Sequence, residues 1–215
     1  MGPARGGKPD ALVVLLHGYG SNGNDLIGLA PYWRDVLPGA AFVAPNAIEP
    51  VPQAPGGFQW FPLAEADPRL LEQGVRQAAQ SVDHFISSEL ERAELDESRL
   101  ALVGFSQGTM MALHVGLRRA KPAACVLGYS GMLVGARLKE EMRAKPPVLL
   151  IHGDQDPMIP VAALFDSAEA LAAAGHGAGW HISYGVPHSI GPDGLELGGR
   201  FLANYLKTRK IMMAG

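Results

Sequence analysis

Ser106 stands in Gly104-Phe105-Ser106-Gln107-Gly108, a G-x-S-x-G pattern that directly follows an apolar run and directly precedes a helical one. A nucleophile held on a sharp strand-to-helix turn has a strained backbone, and side chains two positions to either side would collide, so glycine is needed at both. The turn lifts the hydroxyl out of the sheet, and the Gln107 N–H at the helix start can face negative charge developing on a bound carbonyl oxygen. Serine alone is a weak nucleophile; it needs a base, and the base needs an orienting carboxylate. Two downstream segments carry such groups, His152-Gly153-Asp154-Gln155-Asp156-Pro157 and Val186-Pro187-His188-Ser189. Spacing alone leaves Asp154 and Asp156 both open as the acid.

The other histidines read as structural. His84 and His114 fall on helices, His176 in a Gly-rich turn and His181 within a strand, while His17 and His152 precede glycine at strand ends and are expected to order backbone. Gly18-Tyr19-Gly20-Ser21-Asn22-Gly23 matches a dinucleotide-binding G-x-G-x-x-G. The acid that this fingerprint requires about 20 residues on is missing, because the next strand ends in Ala44-Pro45-Asn46 and Glu49 lies among prolines. The same loop can instead bring the Tyr19 N–H towards a substrate carbonyl oxygen. Ser130, in Gly128-Tyr129-Ser130-Gly131, lacks a glycine two residues on and reads as a loop serine.

These groups need a scaffold that brings distant segments to one edge. Apolar runs at Leu12 to Leu16, Ala41 to Ala44, Leu100 to Gly104, Ala124 to Leu127 and Val148 to Ile151, with a further strand at His181 to Tyr184, are continuous rather than alternating. Such runs indicate strands covered on both faces, as in a parallel sheet flanked by helices. Between them Leu71, Val75, Ala78, Val82, Phe85, Ile86 and Leu90 form an apolar stripe after Pro68, and further helices are expected at Gln107 to Arg119, Val161 to Ala174 and Leu195 to Thr208. The alternation predicts a doubly wound α/β sandwich with residues 1–215 as one domain, its candidate groups at strand ends where open α/β sheets bind ligands. The proline-rich stretch Pro45 to Pro68, around Trp60 and Phe61, interrupts the rhythm as a long loop, a common place for function. The acidic run Glu89 to Glu97 reads as a solvated helix end.

The chain has 215 residues, Lys plus Arg 18 against Asp plus Glu 21, a net charge of −3, and 47% hydrophobic residues. Without a Lys/Arg cluster there is no electrostatic footprint for nucleic acid. The single cysteine, Cys125, excludes an internal disulfide and a cysteine-cluster metal site, and its apolar surroundings make it a buried small hydrophobe. The first residues lack an apolar signal core, position 6 is Gly where a myristoylation pattern needs Ser or Thr, and no apolar stretch approaches about 18 residues, so a cytoplasmic location is expected.

Across nearly its whole length the chain resembles the phospholipase/carboxylesterase family of α/β hydrolases, which includes bacterial carboxylesterases and acyl-protein thioesterases. The resemblance is carried by Leu16-His17-Gly18-Tyr19-Gly20, Trp60-Phe61, Gly104-Phe105-Ser106-Gln107-Gly108, Ser130-Gly131, His152-Gly153-Asp154-Gln155-Asp156 with Ile159-Pro160, and Pro187-His188-Ser189. It implies Ser106 as nucleophile, Asp156 rather than Asp154 as the orienting acid, His188 as base, and the N–H groups of Tyr19 and Gln107 as the oxyanion hole. Gly20-Ser21-Asn22-Gly23 departs from the H-G-x-G-D-T-G first loop of the thioesterases, and Thr109 replaces the small residue usual after G-F-S-Q-G, which places the chain nearer the bacterial carboxylesterases.

The expected activity is hydrolysis of carboxylic esters of short to medium acyl chains through an acyl-enzyme, with an acyl-protein thioesterase or lysophospholipase as the alternative. A non-catalytic binding protein on the same fold is a further one. Only 50 residues separate Ser106 from Asp156, too few for a large lid. The substrate groove is expected at Trp60, Phe61, Leu63, Met132, Leu133, Met158 and Ile159, and the side chains of Tyr19 and Gln107 are expected to be dispensable. No cofactor or metal is expected. The partner classes left open are a small-molecule ester and, as a homodimer, a second copy of the chain.

Overall fold

A computed structural model describes residues 1–63, 67–135 and 137–207. In chain order the strands are β1 (Ala11–Leu16), β2 (Ala40–Val43), β3 (Glu49–Pro50), β4 (Phe58–Gln59), β5 (Leu100–Phe105), β6 (Cys125–Tyr129), β7 (Val148–Gly153) and β8 (Gly179–Ser183). The helices are α1 (Gly23–Leu26), α2 (Ala30–Trp33), α3 (Pro68–Ala93), α4 (Gln107–Gly116), α5 (Leu138–Glu141), α6 (Ala162–Ala173) and α7 (Pro192–Lys207). Six strands form one parallel sheet in the order β2-β1-β5-β6-β7-β8, and β3 pairs antiparallel with β4 in a small ribbon.

The continuous apolar runs have the two-sided burial expected of them. Leu12, Val14, Leu16, Leu100, Leu102, Val126 and Leu150 pack into one core with α3, α4 and α6, while Val13, Leu15, Ala101, Val103, Cys125, Leu127 and Ile151 pack into the other with Trp33 and α7. Burial pushes the Cys125 thiol pKa up, so at neutral pH this residue is an inert hydrophobe. The stripe on α3 turns Val75, Ala78, Val82, Ile86 and Leu90 inward. Asp67 caps that helix, accepting a hydrogen bond from the Arg69 N–H ahead of Pro68 in the first turn.

Several boundaries differ from those read in the sequence. β6 and β7 run two residues further, to Tyr129 and Gly153, because their last residues still pair with neighbouring parallel strands. β8 begins two residues earlier, at Gly179, and its outer edge is unpaired among the described residues, so Trp180 is half exposed and the apolar signal is diluted. α4 stops at Gly116, three residues before Arg119, and α7 starts at Pro192, whose fixed φ suits a first turn. Thr208 lies outside the described residues. Among those described, the connection from β6 to β7 carries only the four-residue α5, so no large lid is built there.

Candidate active site

Ser106 links the end of β5 to the start of α4 with φ 54° and ψ −118°, a positive-φ conformation rarely adopted by a residue with a Cβ. Its N–H donates to the Tyr129 carbonyl at the end of β6 (2.9 Å), and its own carbonyl accepts from Thr109 N–H (2.9 Å). The flanking glycines are required by packing. A Cβ on Gly104 would lie 2.3 Å from the Gly108 carbonyl oxygen, and one on Gly108 would lie 1.8 Å from the Leu16 carbonyl oxygen of β1. The elbow is thus pressed against both neighbouring strands. Thr109 fits beneath it because Gly128 and Gly131 leave room: a Cβ on either would come within 2.5 Å or 2.4 Å of the Thr109 side chain, whose hydroxyl donates to the same Tyr129 carbonyl (2.8 Å).

The two downstream segments meet. His188 Nδ1 lies 2.6 Å from Asp156 Oδ2, while Asp156 Oδ1 accepts the backbone N–H groups of Met158 (2.8 Å) and Ile159 (2.9 Å). Burial opposes ionisation of Asp156, yet the His188 hydrogen bond and the N–H groups of Ile159 and Met158 outweigh it, so the carboxyl pKa lies below the ordinary aspartate value. A carboxylate accepts only, so His188 Nδ1 carries the proton in that bond and leaves Nε2 as the other ring nitrogen. Asp154 points elsewhere, its Oδ1 accepting the Gly185 N–H (2.6 Å). With Gln155 N–H to the Val186 carbonyl (3.0 Å) and Asp154 N–H to the Ser183 carbonyl (3.2 Å), this zips the loop carrying Asp156 to the loop carrying His188. Ser130 is buried, holds φ 45° and donates to the Ser189 carbonyl (3.2 Å), so this loop serine props the same segment. The His188 ring also rests on Phe105, centroids 5.1 Å apart.

Ser106 and His188 share one cavity of about 830 Å³, together with Tyr19 and Gln107. Among the described residues neither the Tyr19 nor the Gln107 backbone N–H has an internal acceptor. Of the seven groove candidates, Leu63, Met132, Leu133, Met158 and Ile159 line this cavity. Trp60 and Phe61 do not. They are buried in the core, with Trp60 Nε1 donating to the His17 carbonyl (2.8 Å), because this part of the proline-rich stretch packs under the site while Leu63, Asp67 and Pro68 of the same stretch reach the cavity. The Gln107 side chain, expected to be dispensable, has structural partners. It is 1% exposed, accepts the Trp60 N–H (2.9 Å) and donates to the Phe61 carbonyl (2.7 Å), so it ties the elbow to that loop.

Leu71, Met110 and Val134 also line the cavity and were not among the groove candidates. Met110 carried a usable signal, since it lies four residues after Ser106 on the same helix face. Leu71 read as part of the α3 stripe, and Val134 as loop. His17 donates from Nδ1 to the Gly18 carbonyl (2.7 Å) and accepts the Ala47 N–H at Nε2 (2.9 Å), and burial lowers its pKa, so it orders the first loop as a neutral ring. His181 on β8 pairs with Asp193 on α7 (2.7 Å). Among the described residues no group of three or more His, Cys, Asp or Glu side chains could hold a metal ion, and no helix is long and apolar enough to cross a membrane.

A model of the phospholipase/carboxylesterase family matches residues 4–206. Acyl-protein thioesterase 1 of Gibberella zeae is 28% identical over 93% of this chain and 92% of its own length, and esterase YpfH of Escherichia coli is 28% identical over 83% and 76%. The crystal structure of esterase PE8 superposes with a TM-score of 0.90 at 42% identity, covering 95% of this chain and 96% of that one. With this match over the whole α/β-hydrolase fold just described, the chain belongs to the phospholipase/carboxylesterase family of hydrolases.

Proposed function

We propose that this protein is a serine carboxylesterase that cleaves esters of short to medium acyl chains through a covalent acyl-enzyme. The observation that carries the reading is the 2.6 Å bond from His188 Nδ1 to Asp156 Oδ2 in a ring that shares its cavity with Ser106 on a strained elbow. In this reading Ser106 Oγ attacks the ester carbonyl carbon while His188 Nε2 takes the hydroxyl proton, and Asp156 stabilises the imidazolium that results. The carbonyl oxygen becomes an oxyanion facing the N–H groups of Tyr19 and Gln107. When the carbon–oxygen bond to the alcohol breaks, His188 returns the proton to the leaving oxygen. Water then repeats the sequence on the acyl-serine, releasing the acid and restoring Ser106. Leu63, Met132, Leu133, Met158 and Ile159 give the acyl or alcohol group an apolar surface.

A thioester would pass through the same steps with sulfur as the leaving atom. That second reading is favoured by the relatives named acyl-protein thioesterase. Turnover of a panel of aryl esters and thioesters of graded acyl length tests both, with a fluorophosphonate probe to locate the nucleophile. The carboxylesterase reading expects oxygen esters of short to medium chains to be the better substrates and the adduct to map to Ser106. An adduct on Ser130, or none on active protein, overturns it, and a preference for long-chain thioesters supports the second reading.

A further inference from the structure

We infer that His152 is a positioning residue for the proposed acid: it anchors the Asp156-to-Ile159 turn so that Asp156 Oδ2 stays directed at His188. The inference rests on the proposed Ser106, His188 and Asp156 roles. His152 belongs to β7, is 1% exposed and does not line the cavity, so it cannot exchange a proton with a substrate there. Its Nε2 lies 2.8 Å from the Ile159 carbonyl oxygen and 3.2 Å from Asp156 Oδ2, the oxygen that also holds His188. A carbonyl oxygen only accepts, so Nε2 carries the proton and donates it to Ile159. Nδ1 is buried with no hydrogen-bond partner among the described residues, so the ring is held through Nε2.

The consequence is a turn held at both ends of one residue. The Ile159 N–H goes to Asp156 Oδ1 and the Ile159 carbonyl goes to His152, so the Asp156 side chain is clamped to a segment that is itself clamped to the sheet. Without the second clamp the Ile159 carbonyl loses its bond to β7, and the turn keeps only the Asp156 bonds among these polar contacts, beside the packing of Ile159 on the core and next to an exposed Met158. His152 Nε2 also lies 3.2 Å from Asp156 Oδ2, the oxygen that His188 Nδ1 meets at 2.6 Å. Among the described residues the titratable groups that meet Asp156 are these two histidines, one lining the cavity and one buried outside it. The neighbouring acid, Asp154, is turned to Gly185.

The experiment compares His152→Leu and His152→Gln, each with and without Asp156→Asn, for kcat and KM on a soluble aryl ester and for thermal midpoint. His152→Leu is expected to lower kcat roughly 10- to 100-fold at nearly unchanged KM, the loss associated with an ångström-scale misplacement. His152→Gln, whose amide N–H reaches the place of Nε2, is expected to recover most of it. In the Asp156→Asn background His152→Leu should add little, since its effect passes through that carboxylate. Parental kcat in folded His152→Leu overturns the inference, as does a loss that multiplies in full with that of Asp156→Asn. Should His152→Leu not fold, His152→Asn replaces it. Its shorter amide stops short of Ile159, so kcat must fall for Asn and hold for Gln, and equal values overturn the inference. Parental kcat in Asp156→Asn alone instead overturns the underlying assignment of the acid.

Discussion

At the scale of single residues, the site depends on side chains with different kinds of duty. Ser106→Ala removes the proposed nucleophile and nothing that the fold uses, so turnover should fall by about 10³-fold or more with an unchanged thermal midpoint. Steady-state rates and a melting curve check both halves. Tyr19 is half exposed and its proposed role rests on its backbone N–H, so Tyr19→Phe should keep turnover within about threefold, far from the roughly 10²-fold cost of a lost oxyanion donor. A collapse of turnover in folded protein would mean that the phenol itself acts. Gln107 behaves differently. Gln107→Ala leaves the buried Trp60 N–H and Phe61 carbonyl unpaired, at about 1–3 kcal/mol each, so it should lower both the thermal midpoint and turnover.

Among the elements, the junction of β5, α4 and β6 decides where Ser106 stands. Thr109 is admitted beneath the elbow because Gly128 and Gly131 are bare, so these residues should be energetically coupled. A Cβ at Gly128 would come within 2.5 Å of Thr109 Cγ2 and 3.1 Å of Leu150 Cδ2. Gly128→Ala should therefore destabilise the parent by about 1–3 kcal/mol, the usual cost of overpacking. In a Thr109→Ala background, which removes Cγ2, it should cost clearly less. Denaturant midpoints of the four proteins give the coupling directly, and additive effects would refute the packing account. Gly131→Ala would be relieved less by the same background, because its clash is with Thr109 Cβ at 2.4 Å.

Over the whole molecule, acid stability should be set in part by His114, buried on α4. Burial, then the Arg118 and Arg76 guanidinium groups, lowers its pKa to about 4 from an ordinary value of 6.5. Below pH 6.5 the unfolded chain binds a proton here that the native form refuses, so the native state loses stability as pH falls towards about 4. The full loss is at most about 3 kcal/mol. Replacing His114 with Leu should flatten the dependence of the denaturant midpoint between pH 7 and pH 5, and an unchanged slope would refute the assignment. Below that window a second group acts. Glu141, hydrogen-bonded by Arg76 and, against a burial penalty, by Arg118, has its pKa lowered to about 2, so its contribution is present above about pH 4.5 and is lost on acidification towards pH 2. Activity, by contrast, should survive exhaustive chelation, because every proposed step is performed by side chains and backbone N–H groups. Loss restored by one added metal would reject that expectation.

What the sequence determined by itself was local and covalent. Continuous apolar runs are dictated by two-sided burial, so the strands and the α/β class were legible. Gly104-Phe105-Ser106-Gln107-Gly108 could be read as an elbow because only glycine fits where backbone meets backbone. Two decisions belonged to the tertiary structure. One was which of Asp154 and Asp156 meets His188: spacing left both open, resemblance pointed to Asp156, and in the fold a two-residue difference in the loop sends one carboxylate to the Gly185 N–H and the other to His188. The other was the fate of Trp60, Phe61 and Gln107. Their apolar and amide groups suit an open surface as well as a core, and only the contacts of residues 60 and 61 with Gln107 and the His17 carbonyl bury them. Side-chain chemistry states what a residue can do, whereas burial and partners depend on contacts between segments far apart in the chain, which no local pattern contains.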